Sequence, residues 1–282
     1  MAQEWSGQTG GTHWMQRALV SIIRHTDIRV AYAMMHLWLI WYIIVRRTER
    51  HGAYIYHRRR GRNRLQAACD IYRSFYHFGK AIIDRFAVYA GQQFEVVVDN
   101  RELYYGRVHG EDGFIMLFSH IGNTEMAGYF LSTPNKPLHI LAYGGESPVV
   151  MEHRRQVLEQ NNIDMITIRP DDMSHIYRIS EVLQHGDVLA IAADRKTGDA
   201  TTTCTFMGRS AQLPVGPFRV CMAVKQPVLL VFVIKQSARI YHVYCEQLQP
   251  TRDIAAQYAQ AMERVVQAHP YEWFNFYDFW AE

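Results

Sequence analysis

An α/β fold built on a central, mostly parallel mixed sheet flanked by helices is predicted by three features of the sequence. From Phe94 onward, short apolar runs recur between clusters of Gly, Asp, Asn and Pro. Segments with helical periodicity separate several of those runs, and strands that alternate with helices pair in parallel through helical crossovers. The last two runs are joined only by Lys235-Gln-Ser-Ala-Arg239, which suits an antiparallel hairpin added to the sheet. A chain of 282 residues can bury one substantial core, as one large domain with appended elements or as two domains. With 49% hydrophobic and 20% charged residues, the composition is globular rather than disordered.

Residues 1–91 read as a helical region preceding a core over 92–282. The first 27 residues mix polar and charged positions and lack a small-residue cleavage site after an apolar core, so no secretory signal is expected. Val30 to Val45 is apolar apart from His36 and the tyrosine hydroxyls. As a helix it is roughly 24 Å long, short of the ~30 Å hydrocarbon core, which favours embedding in one leaflet or a short span. The net charge is only +3, yet eight arginines fall between Arg46 and Arg64 with Glu49 alone opposing them. A Trp- and Tyr-rich apolar helix beside an arginine block suits an anionic membrane surface, where each basic residue contributes about 1 kcal/mol. A spanning helix would put the block on the cytoplasmic side. The competing reading is a core helix followed by a solvated basic loop. Nucleic-acid binding would need a fold motif as well as charge, and none is present.

Asp70 to Tyr89 places Ile71, Phe75, Phe78, Ile82 and Phe86 at helical spacing, as a core-facing helix requires. Candidate strands follow at Phe94–Val98, Phe114–Phe118, Leu138–Ala142, Met165–Ile168, Val188–Ala193, Val228–Ile234 and Ile240–Cys245. Helices are expected at Glu125–Leu131, Pro148–Gln160, Met173–His185 and Pro217–Lys225. A last helix, Asp253–Ala268, is stopped by Pro270. The aromatic tail Tyr271–Trp280 suits a membrane-interface belt or closure of a core; Asn275 and Asp278 within it favour packing.

The apolar run Phe114–Phe118 leads directly into His120-Ile-Gly-Asn-Thr-Glu125. Functional groups in open α/β sheets collect at the carboxyl ends of strands, where His120 falls. On one helix a five-residue separation would turn the two side chains away from each other. They can meet if His120 ends a strand, Gly122 turns the chain, and Asn123 or Thr124 caps a helix with Glu125 in its first turn. The positive end of a helix favours a carboxylate, and a carboxylate on one imidazole nitrogen fixes the tautomer and stabilises the imidazolium. The other nitrogen can then take a proton from an acceptor hydroxyl or amine. A helix-capping turn with an incidental histidine has the same spacing. His175, near a helix start, reads as a packed or capping residue.

Other chemistries find less support. Cys69, Cys204, Cys221 and Cys245 are scattered without C-x-x-C spacing, which suits a reducing compartment and suggests neither zinc nor disulfides. Fourteen histidines include no H-E-x-x-H, and there is no G-x-S-x-G for a serine hydrolase.

The sequence His120-x-x-x-x-Glu125 after an apolar strand, then Ala192-Ala-Asp194-Arg195, Phe206-Met-Gly208 and Leu213-Pro214-Val-Gly216-Pro217, resembles the bacterial lipid A biosynthesis acyltransferases. These are the late lauroyl/myristoyl branch of the lysophospholipid acyltransferase superfamily. The resemblance runs from about Asp70 onward, and the ending Trp273–Trp280 is similar to a divergent branch. It implies a glycerolipid acyltransferase-like fold, with His120 as base and Glu125 as its acidic partner. It also implies a donor and acceptor cleft lined by Asp194, Arg195, Phe206, Gly208, Pro214 and Gly216. Arg178 falls where the family tends to have a basic residue, and Asn123, inside the motif, is counted with the substrate-binding positions. Thr124 stands where the family commonly has an aromatic residue, which bears on the shape of the acceptor site.

The function so implied is a membrane-associated acyltransferase on the cytoplasmic face of a bacterial inner membrane. It would move a fatty acyl group from an acyl-carrier-protein or coenzyme A thioester to a hydroxyl or amine of a lipid-like acceptor, without metal or cofactor. The alternatives are a thioesterase or lipid hydrolase using the same site, a metal enzyme, and a non-catalytic membrane-binding relative.

Overall fold

A computed structural model describes residues 20–131, 136–143, 158, 163–168, 172, 174–196, 200–224 and 226–280. The chain divides into two compact units, one of residues 1–95, 235–241 and 264–282, the other of 96–234 and 242–263.

The first unit is built on helices α1 (Ile28–Val45), α2 (Arg47–Arg59) and α3 (Arg64–Tyr89). Asp27 caps α1 by accepting from the Arg29 N–H at 2.8 Å, and Asn63 with Gln66 forms a reciprocal capping box at the start of α3. One face of α1 packs on α3 through Ile28, Ala31 and Tyr32 against Ile83, Phe86 and Ala87. Further along, Leu39 joins Ile71 and Phe75 of α3 with Phe274 and Phe276 of the aromatic tail. The Phe75 and Phe276 rings stack at 4.6 Å, and Trp273, Phe274, Phe276 and Phe279 are all buried.

Two buried carboxylates organise the polar side of this unit. Asp70 accepts from Arg62 at 2.7 Å, Tyr271 at 3.0 Å and Arg73 at 3.1 Å. Asp84 accepts from Lys235 Nζ at 2.5 Å and from the hydroxyls of Tyr32 and Tyr241. Each carboxylate is fully buried; at Asp70 the donors outweigh the cost of desolvation, and at Asp84 they offset only part of it. The arginine block is therefore helical over much of its length, and Arg62 is turned onto Asp70 rather than into solvent.

The α/β region carries β1 (Glu95–Val98), α4 (Arg101–His109), β2 (Phe114–Phe118), α5 (Thr124–Leu131), β3 (Leu138–Tyr143), β4 (Ile163–Ile168), α6 (Ser174–Gln184) and β5 (Val188–Ala192). It continues with β6 (Thr201–Phe206), β7 (Arg209–Pro214), α7 (Val215–Val224), β8 (Val228–Lys235), β9 (Ile240–Leu248) and α8 (Ile254–Ala268). Seven strands form one sheet in the order β1-β9-β8-β2-β5-β3-β4. β2 pairs in parallel with both β5 and β8, and β3 in parallel with β4 and β5. Phe114, Ile115 and Leu117 of β2 and Val228, Leu229 and Leu230 of β8 are wholly buried, as runs apolar on both faces require. β8 and β9 are neighbours joined by four residues, a connection only an antiparallel pair can make.

All seven candidate strands occur, with β4 starting two residues earlier and β9 running three residues further than the apolar pattern indicates. The helix expected over Pro148–Gln160 lies outside the described residues apart from position 158. Among the described residues two elements are additional: the short helix α4, and the antiparallel hairpin β6–β7, which forms its own two-stranded sheet. Its turn consists of Met207 and Gly208, both at positive φ (53° and 71°), the backbone of a two-residue hairpin loop.

Candidate active site

The central strand delivers His120. β2 and β5 lie side by side with Phe118 opposite Ala192, and the ladder continues one step as the Ala193 N–H donates to the Phe118 carbonyl at 3.1 Å. That carbonyl also accepts from the Tyr258 hydroxyl of α8 at 2.9 Å. At the next position a side chain meets the His120 N–H. It is that of Asp194, its Oδ2 accepting from the His120 N–H at 2.9 Å while its Oδ1 meets His120 Nδ1, also at 2.9 Å. One carboxylate thus holds both the backbone and the ring of the histidine.

On its other side the chain is fixed by β8. Gly122 makes a parallel bridge with Val233, and the Asn123 N–H donates to the Val233 carbonyl at 2.8 Å. Gly122 has φ +70°, and a Cβ there would stand 2.1 Å from the Val233 oxygen, so the turn admits only glycine. α5 begins at Thr124, with Glu125 exposed in its first turn and Asn123 buried just ahead of it. The strand-turn-helix path expected between His120 and Glu125 is therefore the one observed.

The Asp194 side chain is 1% exposed and that of His120 is 30% exposed. Burial pushes the Asp194 carboxyl up, but the charge and hydrogen bonds of His120, with the Arg195 guanidinium beside it, outweigh burial and hold it below the usual carboxylate range. An ionised carboxylate on Nδ1 requires the Nδ1–H tautomer, so the neutral ring carries its lone pair on Nε2. A partly exposed imidazole with a buried carboxylate behind it is equipped for proton transfer at Nε2.

The remaining candidate positions are spread through the unit. Asp194 and Arg195 follow β5 directly, and Asp194 is too deeply buried to face a substrate itself. Pro214 ends β7, and Gly216 lies in the first turn of α7 with open space where a Cβ would stand. Phe206 is buried, and Gly208 serves the hairpin turn, whose Met207 N–H is tied to Glu263 of α8 at 2.7 Å. Arg178 of α6 pairs with Asp164 at 3.1 Å and Glu181 at 3.2 Å. Asp164 is near the amino end of β4, so Arg178 is engaged roughly one strand length, about 16 Å, from the carboxyl end that carries His120. His175 Nδ1 is bonded to the Asp172 carbonyl at 2.8 Å, a local capping contact.

Beneath α5 is a narrow cavity of about 30 Å³ lined by Met116, Phe118, Thr124, Gly128, Ile140 and Val231, among others. Thr124 is the one polar side chain among the described residues on that wall.

Sequence reasoning assigned the orienting carboxylate to Glu125 and placed Asp194 in the substrate cleft. The His120–Asp194 contact joins residues 74 positions apart and depends on β2 lying next to β5. Its available signal was that Asp194, like His120, directly follows a buried apolar strand.

The family model of bacterial lipid A biosynthesis acyltransferases matches residues 91–281, about two thirds of the chain. No curated protein matches it. The matched range includes every residue of the strand-end site. The chain belongs to the bacterial lipid A biosynthesis acyltransferase family and is an acyltransferase acting in lipid synthesis.

Proposed function

We propose that the chain moves a fatty acyl group from an acyl-carrier-protein or coenzyme A thioester to a hydroxyl or amine of a lipid A-type or related lipid, at the cytoplasmic face of an inner membrane. The observation that carries this reading is the two-point hydrogen bond of Asp194 to His120 at the carboxyl end of β2. His120 Nε2 removes the acceptor proton as the acceptor oxygen or nitrogen attacks the thioester carbonyl, and Asp194 stabilises the imidazolium that forms. Collapse of the tetrahedral intermediate breaks the C–S bond, and the imidazolium proton goes to the departing thiolate. A thioester is already activated, so this exchange needs neither ATP nor a metal.

Glu125 is assigned as a second carboxylate, adding negative charge near the imidazolium from the amino end of α5. Asn123, Arg195, Pro214 and Gly216 are assigned to substrate contacts around the strand ends. Arg178 and Gly208 are assigned structural duties, because an ion-pair set and a turn already account for them. Membrane association is supported by α1, which is long and apolar enough to cross a bilayer, with a mean hydropathy of 1.6.

The test is purified protein with acyl thioesters of both carrier types and a panel of lipid acceptors, with products read by mass spectrometry. Acylated lipid that disappears in His120→Ala supports the reading. Free fatty acid as the sole product would replace it with hydrolysis.

A further inference from the structure

We infer that α1 lies in the plane of an anionic membrane surface, seated in one leaflet, and does not cross the bilayer. This rests on the membrane association proposed above and adds its geometry.

α1 is apolar on both sides, and only one side is covered. Ile28, Tyr32 and Leu39 face the rest of the unit, whereas Val30, Met34, Leu37, Trp38, Trp41 and Ile44 are between 44% and 80% exposed. These six recur at helical spacing along one continuous stripe the length of the helix. A stripe of this kind marks an interaction surface, and two tryptophans on it suit the boundary between headgroups and acyl chains.

Three observations set the orientation. The covered face of α1 is held against α3 near both its ends, through Ile28 and Tyr32 at one and Leu39 with Tyr42 and Ile43 at the other. α3 carries Asp70, Arg73, Lys80, Asp84 and Arg85, so a crossing α1 would draw these ionisable groups into hydrocarbon, which is strongly unfavourable. Basic residues also flank both ends of the stripe, exposed Arg24 and Arg29 before it and Arg47 after it. The nearby acidic groups are already engaged, Asp27 by Arg239 at 3.3 Å and Glu49 by Arg46 at 3.4 Å. A helix lying flat sets all three of these arginines against the same layer of anionic headgroups, whereas a span would separate them onto two faces.

The experiment uses the full chain with Cys69, the one exposed native cysteine, changed to Ser. Single nitroxides are placed at Val30→Cys, Leu37→Cys and Val45→Cys, and their depth is measured in phosphatidylglycerol and phosphatidylcholine vesicles. The inference expects the same shallow depth at all three positions. It also expects at least tenfold tighter flotation with phosphatidylglycerol, and at least tenfold weaker binding for the Trp38→Glu/Trp41→Glu variant with an unchanged circular dichroism spectrum. A depth profile with position 37 at the midplane and the two ends on opposite faces overturns the in-plane seat and leaves membrane association standing. Absence of binding to either vesicle overturns both. A lipid-free dimer in sedimentation that Trp38→Glu dissociates would show that a second copy covers the stripe, and would also overturn the inference.

Discussion

The two ends of the parallel sheet each hold a histidine among carboxylates, and they use it differently. At the amino end, His139 of β3 bridges Asp164 through Nδ1 and Asp187 through Nε2, both at 3.1 Å, with Arg178 closing on Asp164. Both ring nitrogens are occupied, the side chain is 12% exposed, and the cluster ties three strands together. At the carboxyl end, His120 gives Nδ1 to a wholly buried carboxylate and keeps 30% of its side chain at the surface. At the amino end the pairing is a strut, with carboxylates on both nitrogens of a nearly buried ring; at the carboxyl end, in the function proposed above, the partly exposed ring held by Asp194 is the base.

The largest effect expected from breaking this contrast is on His120. His120→Ala should lower acyl transfer by roughly 10³-fold or more with the fold intact by circular dichroism, the range for loss of a general base. Asp194→Asn comes next. The amide keeps an acceptor for the His120 N–H but no longer demands the Nδ1–H tautomer, so kcat should fall by about 10²-fold while KM changes little. If Glu125→Gln had the larger effect on kcat and Asp194→Asn almost none, the orienting role would pass to Glu125.

His139→Gln should do the reverse. It leaves Asp164 and Asp187 without their shared partner and should cost about 1–3 kcal/mol of stability in denaturant unfolding, with acyl transfer changed by less than about threefold.

A smaller effect follows from acid. The Asp194 carboxyl is held below its ordinary value in the folded chain, so its stabilisation is complete above about pH 4 and is lost as pH falls through the lower, folded value. Thermal unfolding followed downward from about pH 6 should therefore show a steeper loss below about pH 4 in the wild type than in Asp194→Asn. The smallest change is Gly208→Ala, which should cost about 1–2 kcal/mol at its positive φ and leave kcat/KM unaltered. A fall in activity without a fall in stability would return Gly208 to the substrate cleft.

The strands of the sheet were legible because buried parallel strands are continuous apolar runs, and 114–118, 188–192 and 228–235 have no other reading at that length. The hairpin was less visible. Thr201-Thr-Thr-Cys-Thr-Phe206 is polar in composition, although its β-branched residues suit a strand, and Met-Gly is a weaker turn signal than Asn-Gly. For the site, the local path from His120 through Gly122 to Glu125 could be read from six consecutive residues. The contact with Asp194 could not, since strand order is a global property and periodicity carries no information about which strand lies next to which. Gly208 illustrates the converse limit: a glycine between motif residues looks the same in a sequence whether it makes room for a substrate or closes a two-residue turn.

The turn at Gly122 has a mechanical consequence. The segment bearing His120 is riveted to both neighbours of the central strand, to β5 through Asp194 and to β8 through the Val233 carbonyl. Sliding of either neighbour would displace the His120 ring, so the base proposed for this site would have no independent hinge. Amide exchange at His120 and Asn123 should then be as slow as in the middle of β2, unusual for a segment just beyond the end of a strand, and should accelerate only when the sheet itself opens.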